Sequence, residues 1–191
     1  MYSVFIRKCS AACNLDLKKM IAQQDWVTRK FNFDFPAEQF PVMIARLRGT
    51  FPHLKYITEG LQEKVLCCKP DDKWSIKEQI GHLIDLEPLG RGRVTDFKER
   101  REVLRAWDGT NAGTDAAQYN ARRIIDLVNI FSTARDAFVA ELLRLRDADH
   151  AFRSLHPRLQ VMMRPVDLAY FVAEHDAHHI AKIYALIERC R

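Results

Sequence analysis

The sequence predicts an all-α protein, an up-down-type four-helix bundle with an extra N-terminal segment and a short leader helix. Three observations predict it. Only 7 glycines and 7 prolines punctuate the 191 residues, so long uninterrupted elements are available. Val, Ile and Thr do not fall into the alternating runs that mark strands. Stretches rich in Leu, Ala, Arg, Glu and Lys, good helix formers, fill much of the chain instead. With 48% hydrophobic and 29% charged residues the composition is globular, and the length suits one domain with a full core.

Residues 1–28 are expected to be a loosely ordered extension, with Met20 as an alternative start, and residues 29–191 the bundle. Phe31-Asn32-Phe33-Asp34-Phe35-Pro36 alternates aromatic and polar residues but has no strand partner nearby. It reads as an extended leader whose aromatics pack on the bundle. A leader helix follows from about Ala37 to Arg48, with Phe40, Met43, Ile44 and Leu47 spaced by three and four. Gly49-Thr50 should interrupt it, Thr50 capping a new helix that tolerates Pro52 in its first turn. That helix would turn Leu54, Ile57, Leu61 and Val65 inward and end before Pro70. Ser75 and Glu78 then form an S-x-x-E capping box, which fixes the next start. This helix should run to about Arg105, kinked near Pro88. A loop from Trp107 leads to Thr114 or Asp115, where a long helix opens and continues to about Arg146. Its inner stripe is Leu127, Phe131, Ala134, Phe138, Leu142 and Leu145. Pro165 starts the last helix, which continues to about Glu188. Four principal helices with short connections make a bundle.

Composition also excludes function classes. The net charge is +5 and the pI near 9.0, but Arg and Lys are interleaved with Asp and Glu as on solvated helices. The most basic window, Arg91 to Arg105, holds six basic and three acidic residues and reads as an exposed helix end. Nucleic acid is therefore not an expected partner. Cys9, Cys13, Cys67, Cys68 and Cys190 are odd in number and form no C-x-x-C pair, which suits reduced thiols in a cytoplasmic protein. No apolar run reaches the roughly 18 residues that span a bilayer. Arg7 and Lys8 break the N-terminal apolar runs, so a signal peptide fits poorly.

The segment Glu174-His175-Asp176-Ala177-His178-His179 carries the chemistry. His175 and His179 share one helix face, inside the stripe Leu168, Val172, Ile183 and Leu186 where packing alone would place Leu or Ile. Two unpartnered buried imidazoles would cost about 1–3 kcal/mol per unsatisfied atom, and metal coordination removes that cost. His178, rotated by about 100°, falls nearer the surface and reads as a supporting or solvent residue. His82 is the third ligand in prospect, with Glu78 and Asp85 a turn to either side to orient it. An H-E-x-x-H protease reading, with Asp176 replacing Glu, fits less well because no third ligand follows.

Trp74-Ser75-x-x-Glu78-x-x-x-His82-Leu83-x-Asp85 and Glu174-His175-Asp176-x-His178-His179-x-x-x-Ile183 together resemble the DinB/YfiT-like superfamily of metal-binding four-helix bundles. Trp107-Asp108-Gly109-Thr110-Asn111 and Tyr119-Asn120-x-Arg122 add to the likeness, which covers roughly Arg29 to Leu186. The resemblance implies that His82, His175 and His179 bind a divalent metal, zinc or nickel foremost, with iron or manganese as further options. It also implies a thiol transferase of bacillithiol or mycothiol type, using a low-molecular-weight thiol, or a hydrolase. A three-histidine site with an open position is reactive rather than structural. It can activate water or hold a thiolate. Asp85 and Glu78 are then the expected general bases, and Tyr119, Asn120 and Arg122 the expected cofactor-pocket residues. A small-molecule substrate is expected, and a homodimer is open. The alternative is a non-catalytic bundle in which the metal only ties helices together. DNA binding, which the family's name and the basic pI would suggest, lacks a helix-turn-helix signature or a one-sided basic stripe.

Overall fold

The computed structural model describes residues 22–191. Four long helices make the bundle: α1 (Phe40–Thr58), α3 (Ile76–Lys98), α5 (Ile124–Leu143) and α7 (Pro165–Cys190). Short helices α2 (Glu63–Leu66), α4 (Ala112–Ala116) and α6 (Asp147–His150) sit in the connections. α1 packs on α5 and α7, and α3 packs on the same two. Helices consecutive among the four, α1 with α3 and α5 with α7, therefore face each other across the bundle. The α1–α3 and α5–α7 connections are long rather than short because each must cross to a diagonal position, whereas α3 and α5 are neighbours.

Several of the sequence signals hold. Ser75 accepts the Glu78 N–H at 3.2 Å and Glu78 accepts the Ser75 N–H at 2.8 Å, closing the expected capping box of α3. Pro165 begins α7 as expected. The leader Phe31, Phe33 and Phe35 packs on the bundle core.

Gly49-Thr50, by contrast, does not interrupt α1. Leu47, Thr50, Leu54 and Ile57 form one buried stripe, and the Thr50 hydroxyl donates to Asp176 instead of capping a helix. The break comes later, at Gly60, whose φ of 72° suits glycine. α3 stops at Lys98, short of Arg105, because Asp96 accepts both the Arg105 backbone and guanidinium and folds the chain back. The long helix expected from Thr114 is split at Gln118, in the left-handed region with φ 50°. There Tyr119 lays its ring against Gly81, where any Cβ would collide.

The fold is helical as expected, with one small addition: β1 (Ser154–His156) and β2 (Val161–Met163) form a short antiparallel hairpin over the α6–α7 connection. Each strand is three residues, too short for an alternation to register. One further expectation is corrected: the thiols are not all reduced, because Cys68 and Cys190 form a disulfide across 122 residues. Cysteine spacing could not pair partners so far apart. Cys67 is free, while Cys9 and Cys13 lie outside the described residues, as does the proposed start at Met20. Among the described residues no helix is long and apolar enough to cross a membrane.

The core is divided. One apolar cluster gathers Leu47, Val94, Phe97, Phe138 and Leu168, and a second gathers Leu54, Ile80, Leu83, Phe131 and Ile183. Between them each long helix contributes polar residues: Thr50 from α1, Glu87 from α3, Arg135 from α5 and Asp176 from α7, all at most 5% exposed. The Arg135 guanidinium donates to Glu87 Oε1 at 2.9 and 2.5 Å, to Asp176 at 2.5 and 3.0 Å, and to the Leu47 carbonyl at 3.2 Å. Burial disfavours its charge, but the two carboxylates more than offset this and push its pKa above the usual arginine range.

Removing one member of such a cluster strands buried charge, at a typical cost of about 3–5 kcal/mol. Arg135→Ala should therefore lower unfolding free energy in urea by that amount. Replacing Arg135, Glu87 and Asp176 together by Met and Leu should cost much less. Equal losses in the two variants would contradict this account of the layer.

Candidate metal centre

His175 and His179 project from α7 into the polar layer, and His82 from α3 meets them across it. One ring nitrogen from each of the three lies within 4.8 Å of the others. The His175 and His179 Nε2 atoms are 3.1 Å apart. Two nitrogens bound to one zinc at about 2.05 Å and a tetrahedral angle would be about 3.3 Å apart, so the donor set fits a divalent ion.

Two residues fix which nitrogen is free. Gln79, a turn before His82, places Oε1 2.6 Å from His179 Nδ1, so Nδ1 donates and Nε2 keeps its lone pair. Thr114 Oγ1 lies 3.3 Å from His82 Nδ1 and donates its own proton to Asp85 at 2.7 Å. Asp85 also accepts from the Tyr119 hydroxyl at 2.5 Å. A chain from Tyr119 through Asp85 and Thr114 thus orients His82. Burial and that carboxylate push ionisation of the Tyr119 hydroxyl well above the usual tyrosine range, so Tyr119 stays a donor.

Aromatic rings flank the centre. Trp74 lies 4.8 Å from His82 and Trp26 4.9 Å from His175, between ring centroids. Burial drives all three imidazoles toward the neutral, ligating form, with His82 lowered to about 4 and the other two well below the usual value.

The centre opens on a cavity of about 760 Å³. Glu87 lines it, and its Oε2 has no hydrogen-bond partner among the described residues. Burial raises the Glu87 carboxyl although Arg135 opposes the shift. Residues 23–27 line one side: Gln23 bonds the His178 ring and carbonyl at 2.9 and 2.8 Å, and Trp26 packs beside His178. His178 is consequently buried at 7% exposure rather than near solvent. Glu174 anchors this cover, pairing with Arg29 and with Arg46.

The remaining expected site residues lie elsewhere. Glu78 spends its carboxylate on the Ser75 cap and on Lys69 at 2.9 Å, and it is not in the cavity wall. Asn120 accepts from the Ser75 hydroxyl and, through its carbonyl, from Lys77. Arg122 lies over the Tyr119 ring. Tyr119, Asn120 and Arg122 therefore brace the outer face of α3 and do not line the cavity, and Asp85 acts through Thr114 rather than in the wall. Sequence reasoning missed Gln79, Thr114, Glu87 and Arg135. Arg135 left a signal, since it stands in the apolar stripe between Phe131 and Phe138.

Fold and site together define a four-helix bundle with a three-histidine centre, and the chain belongs to the DinB superfamily, whose model matches residues 46–183. Among solved structures it is similar to YfiT from Bacillus subtilis, described as "a probable metal-dependent hydrolase with an unusual four-helix bundle topology". The TM-score is 0.70 at 21% identity, over 84% of this chain and 93% of that one, a likeness of fold. None of the curated proteins matches this chain significantly.

His82, His156 and His178 are lowered to about 4, 3 and 4, in each case chiefly by burial. Unfolded, each would take up a proton near pH 6.5, so acid favours unfolding. The urea midpoint of metal-stripped protein should fall from pH 7 to pH 5 and keep falling toward pH 4. A midpoint constant from pH 7 to 5 would contradict these neutral histidines.

Proposed function

We propose that this protein is a metal-dependent enzyme acting on a small molecule, with His82, His175 and His179 as ligands and hydrolysis as its reaction. The single observation that carries this reading is the convergence of three neutral imidazoles at the wall of a sizeable cavity. The description of YfiT as a probable metal-dependent hydrolase supports it. A purely structural metal would be closed off by protein ligands, and the adjoining cavity argues against that role.

A divalent ion bound there would supply Lewis acidity and activate water, or hold a thiolate. Glu87 is the group best placed to hold and pass a proton, because it lines the cavity with one oxygen free. Trp26 and Trp74 pack on the imidazoles in the cavity wall and limit water there, and Gln79 and Thr114 keep the rings aimed. Thiol transfer is the second reading. The cavity of about 760 Å³ lies in the range that takes a drug-sized ligand, which leaves room for a low-molecular-weight thiol.

Untagged protein should carry or take up one equivalent of zinc or nickel by elemental analysis, and the His175→Ala, His179→Ala double variant should take up none. Gln79→Leu should weaken metal affinity by about 10–100-fold with the fold intact. Glu87→Gln should keep the metal but lower kcat by about 10²–10⁴-fold in an ester, amide or thiol-transfer screen. Unchanged metal content in the double variant would remove the proposal, and an unchanged kcat in Glu87→Gln would remove that role.

A further inference from the structure

Three buried side-chain nitrogen or oxygen atoms among the described residues have no hydrogen-bond partner: Glu87 Oε2, His156 Nε2 and Arg158 Nη2. All three residues belong to the wall of the one cavity beside the histidines. Folded proteins carry few such atoms, and each calls for a ligand, a water or a chemical role. Glu87 is accounted for above. The other two are donors. His156 Nδ1 accepts the Leu159 N–H at 3.2 Å, so the ring proton sits on Nε2. Arg158 gives Nη1 to the Val27 carbonyl at 2.8 Å, leaving Nη2.

Arg93 stands in the same wall, 5% exposed, and bonds the Arg105 carbonyl through Nε at 3.1 Å. Among the described residues neither Arg93 nor Arg158 has an ion-pair partner. The nearest acid along α3, Asp96, is taken by Arg105 and Arg101. Arg135 shows the contrast to Arg93, a buried guanidinium matched by two carboxylates, while Arg158 is half-buried. A buried guanidinium without a counter-charge is costly, and an anion from outside the chain would supply one. Arginine suits that task because its planar fork meets a carboxylate or phosphate at two points.

Position and charge agree. His156 packs 5.2 Å from Phe171 between centroids, and the Arg158 guanidinium lies 5.7 Å from the same ring. Phe171 precedes His175 by one turn of α7, a rise of about 5.4 Å per turn. The unpaired donors thus sit beside the histidine centre. Five cationic side chains line the cavity against three acidic ones, two of which, Glu87 and Asp176, are held by Arg135. The third, Asp25, accepts from Thr28 in an exposed turn, and its charge reaches Arg158 without forming an ion pair.

We propose that Arg93, Arg158 and His156 form an anion subsite in the cavity wall, and that the substrate carries a carboxylate or a phosphate there. The word substrate rests on the function proposed above, whereas anion binding does not depend on it. The test is titration of the full chain with inorganic phosphate and, separately, with succinate, by calorimetry and by imidazole nitrogen–proton spectra.

Saturable binding with a shift of the His156 Nε2–H signal is expected. Arg158→Gln should weaken it about tenfold or more, and Arg158→Lys should restore part of the loss. Arg93→Gln, checked for fold by circular dichroism, should weaken it likewise. The tighter of the two probes identifies the anionic group. The His175→Ala, His179→Ala double variant should still bind phosphate, which separates a failure of the metal reading from a failure of this one. No saturable binding of either anion would overturn the subsite. So would undiminished binding in Arg158→Gln, or phosphate binding lost only in the histidine variant.

Discussion

The Arg135 guanidinium, buried between Glu87 and Asp176, is the interaction on which the rest of this bundle depends. It joins α3, α5 and α7 directly, and it reaches α1 through the Leu47 carbonyl and through Thr50 on Asp176. Burying one cation with two carboxylates is weak evidence for stability. Apolar residues of the same volume would hold four helices together as well. What the network supplies is a fixed polar level in the bundle, with an apolar cluster on either side. Those clusters set the spacing of the helices, and the network sets their register.

The histidine centre inherits that register. Asp176 sits between His175 and His179 on α7, and Glu87 lies little more than a turn beyond His82 on α3. Fixing the two carboxylates on one guanidinium brings the three imidazoles to a common point. The orienting contacts from Gln79 and Thr114 then decide which nitrogen faces inward. The cavity follows from the same division of the core, because a polar level cannot be filled with Leu and Phe without stranding its charges. Residues 23–27 finish the wall from outside the four helices, held there by Glu174 through Arg29.

The helical class, the capping box of α3, the start of α7 and the juxtaposition of His82 with His175 and His179 were legible in the sequence. The first three rest on local periodicity or on a motif that keeps its meaning in any context, and the last rests on the family resemblance. The misread elements share one cause, a tertiary contact that overrode a local signal. Thr50 looks like a helix cap but donates to Asp176. Gln118 breaks a helix so that Tyr119 can reach Gly81. Glu78 looked like a base because it precedes His82 by one turn, yet its cap consumes it. Tyr119, Asn120 and Arg122 carried a familiar pattern whose job here is to brace α3. The anionic-ligand side of the cavity wall was not legible, since Glu87 and Arg93 come from α3 and His156 and Arg158 from the distant β1–β2 hairpin, and no motif links the two.

The central claim is that three imidazoles, held by the polar level, form one open coordination site. X-ray absorption at the zinc edge of protein loaded with one equivalent of zinc tests this most directly. The account predicts three imidazole nitrogens at about 2.0–2.1 Å with an exchangeable oxygen or nitrogen donor completing the shell. Sulfur in the shell, fewer than three imidazoles, or a fourth protein ligand closing the site would contradict it.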